Sequence, residues 1–276
     1  MVAEVMLSDD PYIVFYRTCA CVLGWCLVRL FLSHAFFGGS VVHGTKCTAA
    51  IQAALQACAV CWVVTHDPHI APLYWAMLGF QLGDADLVNI PSPAIAFLST
   101  LAAGEFGMQL LHMRAWFEKP SDVVMVAHHL LCLVLWPMNV ANGRGLFFIA
   151  VFLTYEVSTP FLMALFFDAV KNSNLPRVII GTVFTLTFVL VRLGTLPSTA
   201  VAAYKAIATD FPSSRLPWWY VGQYATIMFY VERVTGCLPL LLNAYWGQLV
   251  VRAYFGEVVK ALSADPNAAT KMAKAA

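Results

Sequence analysis

Long apolar stretches, separated by short segments rich in turn residues, run along almost the whole chain. A hydrocarbon core about 30 Å thick needs about 17 to 25 predominantly apolar residues in one helix. Seven stretches come close to or exceed that length, and they lie at about 12–36, 48–65, 93–113, 122–141, 145–167, 177–204 and 218–251. The pattern therefore predicts an all-α, polytopic transmembrane helical bundle with about seven spans.

One further segment, at about 70–90, is apolar in its first half but then carries Asp84 and Asp86 close to several prolines. Proline interrupts helices, which favours an interfacial or re-entrant piece there, with an eighth span as the alternative. The predicted organisation is an N-terminal segment at 1–11, a transmembrane bundle at 12–251 and a polar C-terminal tail at 252–276.

Composition strengthens the membrane interpretation and excludes several partners. The 276 residues are 61% hydrophobic and only 11% charged, which is too little polar surface to coat a soluble globule. The net charge of +1 provides no field that would attract nucleic acid. We therefore expect membrane lipids, and protein partners within the membrane, to be the binding partners.

Basic residues of the loops predict the orientation. With seven spans, nine lysines and arginines of the loops and tail fall on one side and four on the other. Because the positively charged side is usually cytosolic, the C-terminus is predicted to be cytosolic.

Charged residues within the predicted spans are the best candidates for a functional site. A charge at the centre of a transmembrane helix costs about 2.5–3.5 kcal/mol, so such residues should face the bundle interior. They are Arg29, Glu105, Glu156, Arg192, Glu232 and Arg233. Arg29 could instead snorkel to the membrane edge, and the adjacent Glu232 and Arg233 could form structural pairs with other helices.

Glu156 and Arg192 each precede a proline, Pro160 and Pro197, by four or five residues. A proline frees a backbone carbonyl and bends its helix, which can open a pocket beside the charged group.

Imidazole groups form a further feature. His128 and His129 are adjacent in the fourth span, and imidazole is suited to proton exchange near neutral pH. A structural role for the pair remains the alternative. His34 and His112 lie near the ends of two other spans. Adjacent histidines are poor ligands for one ion, so no metal site is predicted. The eight cysteines are interpreted as reduced, small core residues.

Several of these segments resemble those of the TLC-domain family, which contains ceramide synthases, translocating-chain-associated membrane proteins and smaller lipid-regulating relatives. The similarity runs from about Arg29 to Val251 and rests on the segments VRLFLSHA, GEFGMQL, HHLLCLVLWPM, YEVSTPFLMALFF and FVLVRLGTLP. It implies a lipid-related role in the endoplasmic reticulum or another internal membrane.

The chain departs from the ceramide synthases at their reacting residues. In that group two histidines are followed, about 27 residues after the first, by a His-Asp pair implicated in acyl transfer. Here His128 and His129 match the first pair, but Tyr155 and Glu156 occupy the later positions. Gln109 replaces the family's usual aspartate. The departures favour the smaller non-synthase relatives.

Two functions from different classes remain open. In the first, the bundle binds a lipid and regulates lipid composition; as an acyltransferase it would use acyl-CoA, and otherwise no cofactor is expected. His128 or His129 would then act as the base and Glu156 would orient it. Residues assigned to substrate binding are Arg192, Tyr155, His34, Glu105 and Gln109. In the second, the chain is a non-catalytic accessory or structural subunit of a larger membrane complex.

Overall fold

A computed structural model of the chain describes residues 10–83, 85–113, 122–208 and 223–263. Within those ranges the regular structure is helical throughout, which confirms the predicted all-α fold class. The side chains of Glu232 and Arg233, predicted to pair with other helices, lie outside the described part of the chain.

The first half of the chain forms four helices that begin at well-defined caps. They are α1 (Pro11–Phe36), α2 (Val41–His66), α3 (Ile70–Leu78) and α4 (Pro93–Leu111). Asp10, Ser40 and Ser92 each accept a hydrogen bond from a backbone N–H of the first turn that follows. Helix starts leave such donors unsatisfied, so these polar side chains fix where three of the helices begin.

In the second half of the chain, the two spans predicted at about 145–167 and 177–204 are each interrupted by a short segment that is not α-helical. Its elements are α5 (Val123–Asn142), α6 (Leu146–Thr154), a 3-10 turn (Tyr155–Ser158), α7 (Thr159–Ala164), α8 (Asp168–Lys171), α9 (Asn174–Thr187), a π segment (Phe188–Leu193), α10 (Leu196–Ala208) and α11 (Gln223–Ser263). Pro160 follows the 3-10 turn and Pro197 follows the π segment. Both irregular segments therefore lie where the prolines predicted a bend.

Six helical segments within the described ranges are long and apolar enough to cross a membrane. They correspond to the first six predicted spans, and two of them, Leu146–Ala164 and Leu175–Ala208, continue through the irregular segments. The seventh prediction corresponds to the 41-residue α11, whose side chains are described only in part, so the count of seven stays a prediction. The alternative of an eighth span at 70–90 is wrong, because α3 has 9 residues and extends for only about 14 Å.

Helix α2 lies at the centre of the bundle and contacts α1, α3, α4, α6, the 3-10 turn and α7. Two side chains bind backbone carbonyls of α4: Gln56 Nε2 donates to Leu98 O at 3.1 Å, and Trp25 Nε1 donates to Leu101 O at 3.1 Å. Helices α1 and α4 approach so closely at Gly104 that a Cβ there would lie 2.8 Å from the carbonyl carbon of Cys21. Small residues commonly permit such contacts between membrane helices.

All eight cysteines are unpaired, as predicted. The prediction that they are core residues is correct for only some of them. Of the eight, all within the described part, Cys132 is buried, whereas Cys58 and Cys61 are exposed. An apolar helix in a membrane exposes its outer face to lipid, so a thiol in an apolar run need not face the core.

Asp67 joins the end of α2 to the starts of α3 and α4. Its Oδ1 accepts hydrogen bonds from the backbone N–H groups of His69 and Ile70, each at 2.9 Å. Its Oδ2 accepts from Ser92 Oγ at 2.8 Å. The carboxylate is buried, so it connects three helices at one end of the bundle.

We expect Asp67→Ala to lower the free energy of unfolding by about 1–3 kcal/mol, because it leaves buried donors without an acceptor. Asp86→Ala is the matched control: Asp86 accepts from the N–H groups of Val88 and Asn89 in the same way but is exposed, so water can replace it. Reversible unfolding in mixed detergent micelles measures both variants. Equal losses would contradict the linking role of Asp67.

Candidate functional site

Six ionisable side chains from separate elements meet inside the bundle and are called here the polar cluster. They are Glu105 of α4, His128, His129 and Cys132 of α5, Glu156 of the 3-10 turn and Arg192 of the π segment. Arg192 Nη2 lies 4.0 Å from Glu156 Oε1, and Cys132 Sγ lies 3.7 Å from His128 Nδ1. His129 stacks on Phe106, the residue after Glu105, and the negative charge of Glu156 is close enough to repel that of Glu105. Residues 87 positions apart in the sequence, from 105 to 192, thus share one site.

Arg192 holds the interrupted spans together through four hydrogen bonds. Its Nε donates to Tyr155 O at 2.9 Å and to Ser158 Oγ at 3.1 Å. Its Nη1 donates to Asn243 Oδ1 at 3.2 Å, and its Nη2 donates to Thr159 Oγ1 at 3.1 Å. The planar guanidinium suits several fixed acceptors at once. Arg192 therefore connects the π segment to the 3-10 turn, α7 and α11, and its orientation is fixed by protein groups.

The two carboxylates of the polar cluster differ in environment. Glu156 Oε1 lies 4.0 Å from Arg192 Nη2, which is an ion-pair contact longer than a hydrogen bond, and its side chain is 16% exposed. Glu105 is 1% exposed and accepts a hydrogen bond from Gln109 Nε2, one turn along α4. Glu156 is therefore better placed to contact a ligand, whereas Glu105 is enclosed by its own helix and the neighbouring helices.

The adjacent histidines both pack on Phe106, at different angles, and their ring centroids are 5.6 Å apart. His129 is buried and stacks on Phe106 of α4, with ring centroids 4.9 Å apart and an interplanar angle of 21°. His128 contacts Phe106 edge-on and lies perpendicular to Trp246 of α11, with centroids 5.4 Å apart. Successive helical residues are about 100° apart, so the two rings approach Phe106 from different directions. His128 thus lies between α4 and α11.

The sequence interpretation missed Cys132 and the contribution of α11. Cys132 Sγ lies 3.7 Å from His128 Nδ1, one turn away on the same helix face. The spacing of four residues in HHLLC could have indicated this contact. Asn243 and Trp246 are three residues apart on α11 and contact Arg192 and His128, but no motif distinguishes them from other polar and aromatic residues.

Three residues predicted to bind substrate have other surroundings. Tyr155 is buried, but its hydroxyl accepts from Thr195 and donates to Thr199 of α10, each at 3.4 Å, rather than facing the carboxylates. Gln109 bonds to Glu105 at the edge of the cluster. His34 is exposed in the last turn of α1. The part of α1 that packs against Gly107 of α4 is at Val22, about 18 Å away along the helix. The structure therefore does not bring His34 to the polar cluster.

Histidine, cysteine and acidic side chains within the described ranges form no group of three or more that could hold a metal ion. The side chains of the polar cluster can support proton exchange at imidazole, charge stabilisation by the carboxylates and guanidinium, and nucleophilic attack by a thiol.

Comparison with known proteins gives a consistent family match. The TLC-domain family model matches residues 43–252. TLC domain-containing protein 4-A of Xenopus laevis and TLC domain-containing protein 4 of Xenopus tropicalis are each 27% identical over 167 residues, which cover 58% of this chain. The matched region spans 60% of the length of each relative. No solved structure matches the chain significantly.

Proposed function

This chain belongs to the TLC-domain family, close to its non-synthase members, and from that premise we propose that it binds a lipid at the polar cluster and thereby regulates membrane lipid composition. One observation carries the proposal: ionisable side chains of α4, α5, the 3-10 turn and the π segment lie near one another inside the bundle. Ionisable groups within a membrane are costly and mark functional sites by default.

The lipid is held by its head group in this proposal, with its chains along the apolar helices. Glu156 retains some exposure, and Arg192 is already oriented by the protein, so the head group meets a preformed pair of opposite charges. A preformed site costs little ordering on binding. We place the site in the endoplasmic reticulum or another internal membrane, with the C-terminus cytosolic.

Acyl transfer is the reaction that these side chains would support. His128, between Phe106 and Trp246, would remove the proton from an amine or hydroxyl nucleophile, and Glu156 would stabilise the resulting imidazolium. His129 is stacked on Phe106 and would position the neighbouring base. Acyl-CoA would be the acyl donor.

A second function has support from a specific observation. Arg192 donates four hydrogen bonds to protein groups, and the same pattern would serve a purely structural pairing. A non-catalytic accessory subunit of a membrane complex would retain these bonds without using the cluster for lipid. This function predicts that substitutions in the cluster change stability or assembly but no lipid class.

Lipid analysis of cells that express the protein distinguishes the two functions. We expect wild-type protein to change the level of at least one lipid class, and His128→Ala and Glu156→Ala to return it to the background level at matched protein abundance. Loss of a general base commonly costs about 10²–10⁴-fold in rate. The control is His66→Ala, which removes an exposed histidine at the end of α2 and should behave as wild type.

The accessory function would be favoured if both cluster variants altered lipids as wild type does while losing a co-purifying membrane partner. An equal loss of the lipid effect in His66→Ala would indicate a general folding defect and count against a site-dependent activity.

A further inference from the structure

Cys132 is a buried thiol beside a histidine, and the chemistry above does not use it. Its Sγ lies 3.7 Å from His128 Nδ1 and 4.0 Å from Nε2. Sulfur hydrogen bonds are longer than those of oxygen or nitrogen. A thiol in contact with an imidazole is the arrangement that activates cysteine nucleophiles, because the ring can accept the proton as the sulfur attacks.

Groups from three other elements surround this pair. Phe106 of α4 and Trp246 of α11 contact the ring of His128 on different sides, which restricts its rotation. Glu156 of the 3-10 turn places a negative charge near Cys132 that opposes a standing thiolate, so the sulfur must lose its proton to His128 as it attacks. A thiol and a neighbouring imidazole whose ring is held by other side chains are the groups that a cysteine nucleophile and its base require.

We propose that Cys132 is a catalytic nucleophile that accepts the acyl group as a thioester, with His128 as its base. The inference rests on the proposed function in its acyl-transfer form and deepens it, because it divides the transfer into two steps. The acyl donor is an acyl thioester or ester, and the acceptor is a lipid amine or hydroxyl.

In the first step His128 removes the proton from Cys132 Sγ while the sulfur attacks the donor carbonyl. A carbon–sulfur bond forms, the bond to the donor's leaving group breaks, and the leaving group departs with the proton from the imidazolium. In the second step the acceptor attacks the Cys132 thioester. His128 takes the acceptor's proton and returns it to Sγ, which restores the free thiol and releases an amide or ester.

The position of Cys132 suits such an intermediate. It is the tenth of the 20 residues of α5, so it lies near the middle of the span, where acyl chains are found. Only 5% of Cys132 is exposed, so surrounding side chains keep water from the thioester. At this depth Cys132 is out of reach of enzymes that acylate cysteines at the membrane surface, so an acyl group on it would come from this protein's own reaction.

The test uses full-length protein purified into lipid nanodiscs and incubated with alkyne-tagged palmitoyl-CoA. We expect wild type to acquire a label that neutral hydroxylamine removes, with the added mass on the peptide containing Cys132. Cys132→Ala should lose the label, and His128→Ala should acquire it at least about 10²-fold more slowly. Cys58→Ala, which removes an exposed thiol of α2, should be labelled as wild type.

Labelling that persists in Cys132→Ala, or that is unchanged in rate in His128→Ala, would overturn the nucleophilic role. If alanine at 132 prevents folding, Cys132→Ser replaces it, since an oxygen ester resists neutral hydroxylamine. A lipid change that survives both substitutions at 132 would overturn this inference but leave the proposed function intact. No lipid change with wild-type protein would instead contradict the proposed function itself.

Discussion

Replacing Arg192 with leucine is expected to lower the free energy of unfolding by about 3–5 kcal/mol, as is typical when one member of a buried ion pair is removed. The substitution removes four hydrogen bonds and leaves the hydroxyls of Ser158 and Thr159 and the amide of Asn243 without their shared partner. It also leaves Glu156 without its countercharge. Because these groups belong to separate elements, the loss should disrupt the junction between the two interrupted spans.

Arg192→Lys separates the effect of charge from that of geometry. Lysine keeps the positive charge near Glu156, but a single ammonium cannot reach the acceptors that Nε, Nη1 and Nη2 contact. We expect a loss of about half that of the leucine variant. Arg177→Leu, which changes an exposed arginine of α9, should stay within about 0.5 kcal/mol of wild type.

Reversible unfolding in mixed micelles, followed by the loss of native fluorescence, measures all three arginine variants. If Arg192→Leu were as stable as wild type, the four hydrogen bonds would not define the junction. If the lysine variant matched wild type, charge alone would account for the role of Arg192.

Gly104→Leu is expected to destabilise the bundle by more than about 3 kcal/mol. Overpacking a core usually costs about 1–3 kcal/mol, and here a whole side chain is added where two helices touch. A Cβ at Gly104 would lie 2.8 Å from the carbonyl carbon of Cys21 and 3.0 Å from the backbone nitrogen of Val22. These are backbone atoms of α1, so no rotamer change can relieve the contact. Helices α1 and α4 must separate to accept any larger residue.

Gly24→Leu is the matched control, because it makes the same substitution on α1 where a new Cβ would meet no atom within 4 Å. Leucine is the better helix former, so this variant should equal wild type or gain about 0.5–1 kcal/mol. Thermal unfolding in nanodiscs compares the pair. A similar melting temperature for both variants would show that the close approach of α1 and α4 does not limit stability.

Much of the fold follows from the hydrophobic pattern because each span is a local property of the sequence. The run that contains His128 and His129 predicted a helix at about 122–141, and the structure has Val123–Asn142. The bends beside Pro160 and Pro197 were also predictable. Their form was not: a 3-10 turn at Tyr155–Ser158 and a π segment at Phe188–Leu193 are joined by the hydrogen bond from Arg192 Nε to Tyr155 O, and a local pattern does not encode such a contact between distant segments.

The candidate site could be predicted only in part. The cost of burying charge identified Glu105, Glu156 and Arg192, which the structure places in the polar cluster. The direction of a side chain toward a distant helix is not encoded locally. For this reason the sequence could assign Tyr155, which contacts Arg192, to the site but could not predict that its hydroxyl bonds to Thr199 of α10. Cys132, an ordinary small residue in an apolar run, was overlooked.

Burial of Glu105 on α4 also constrains how the protein enters the membrane. Of the six candidate spans in the described ranges, α4 is the least apolar and the most buried, whereas α1 is the least buried. A carboxylate-bearing helix of that kind partitions poorly into lipid by itself. We therefore expect α4 to enter the lipid only after α1, which is synthesised earlier, has packed against Gly104 and Gly107 of α4. The two helices would then insert in the order in which they occur in the chain.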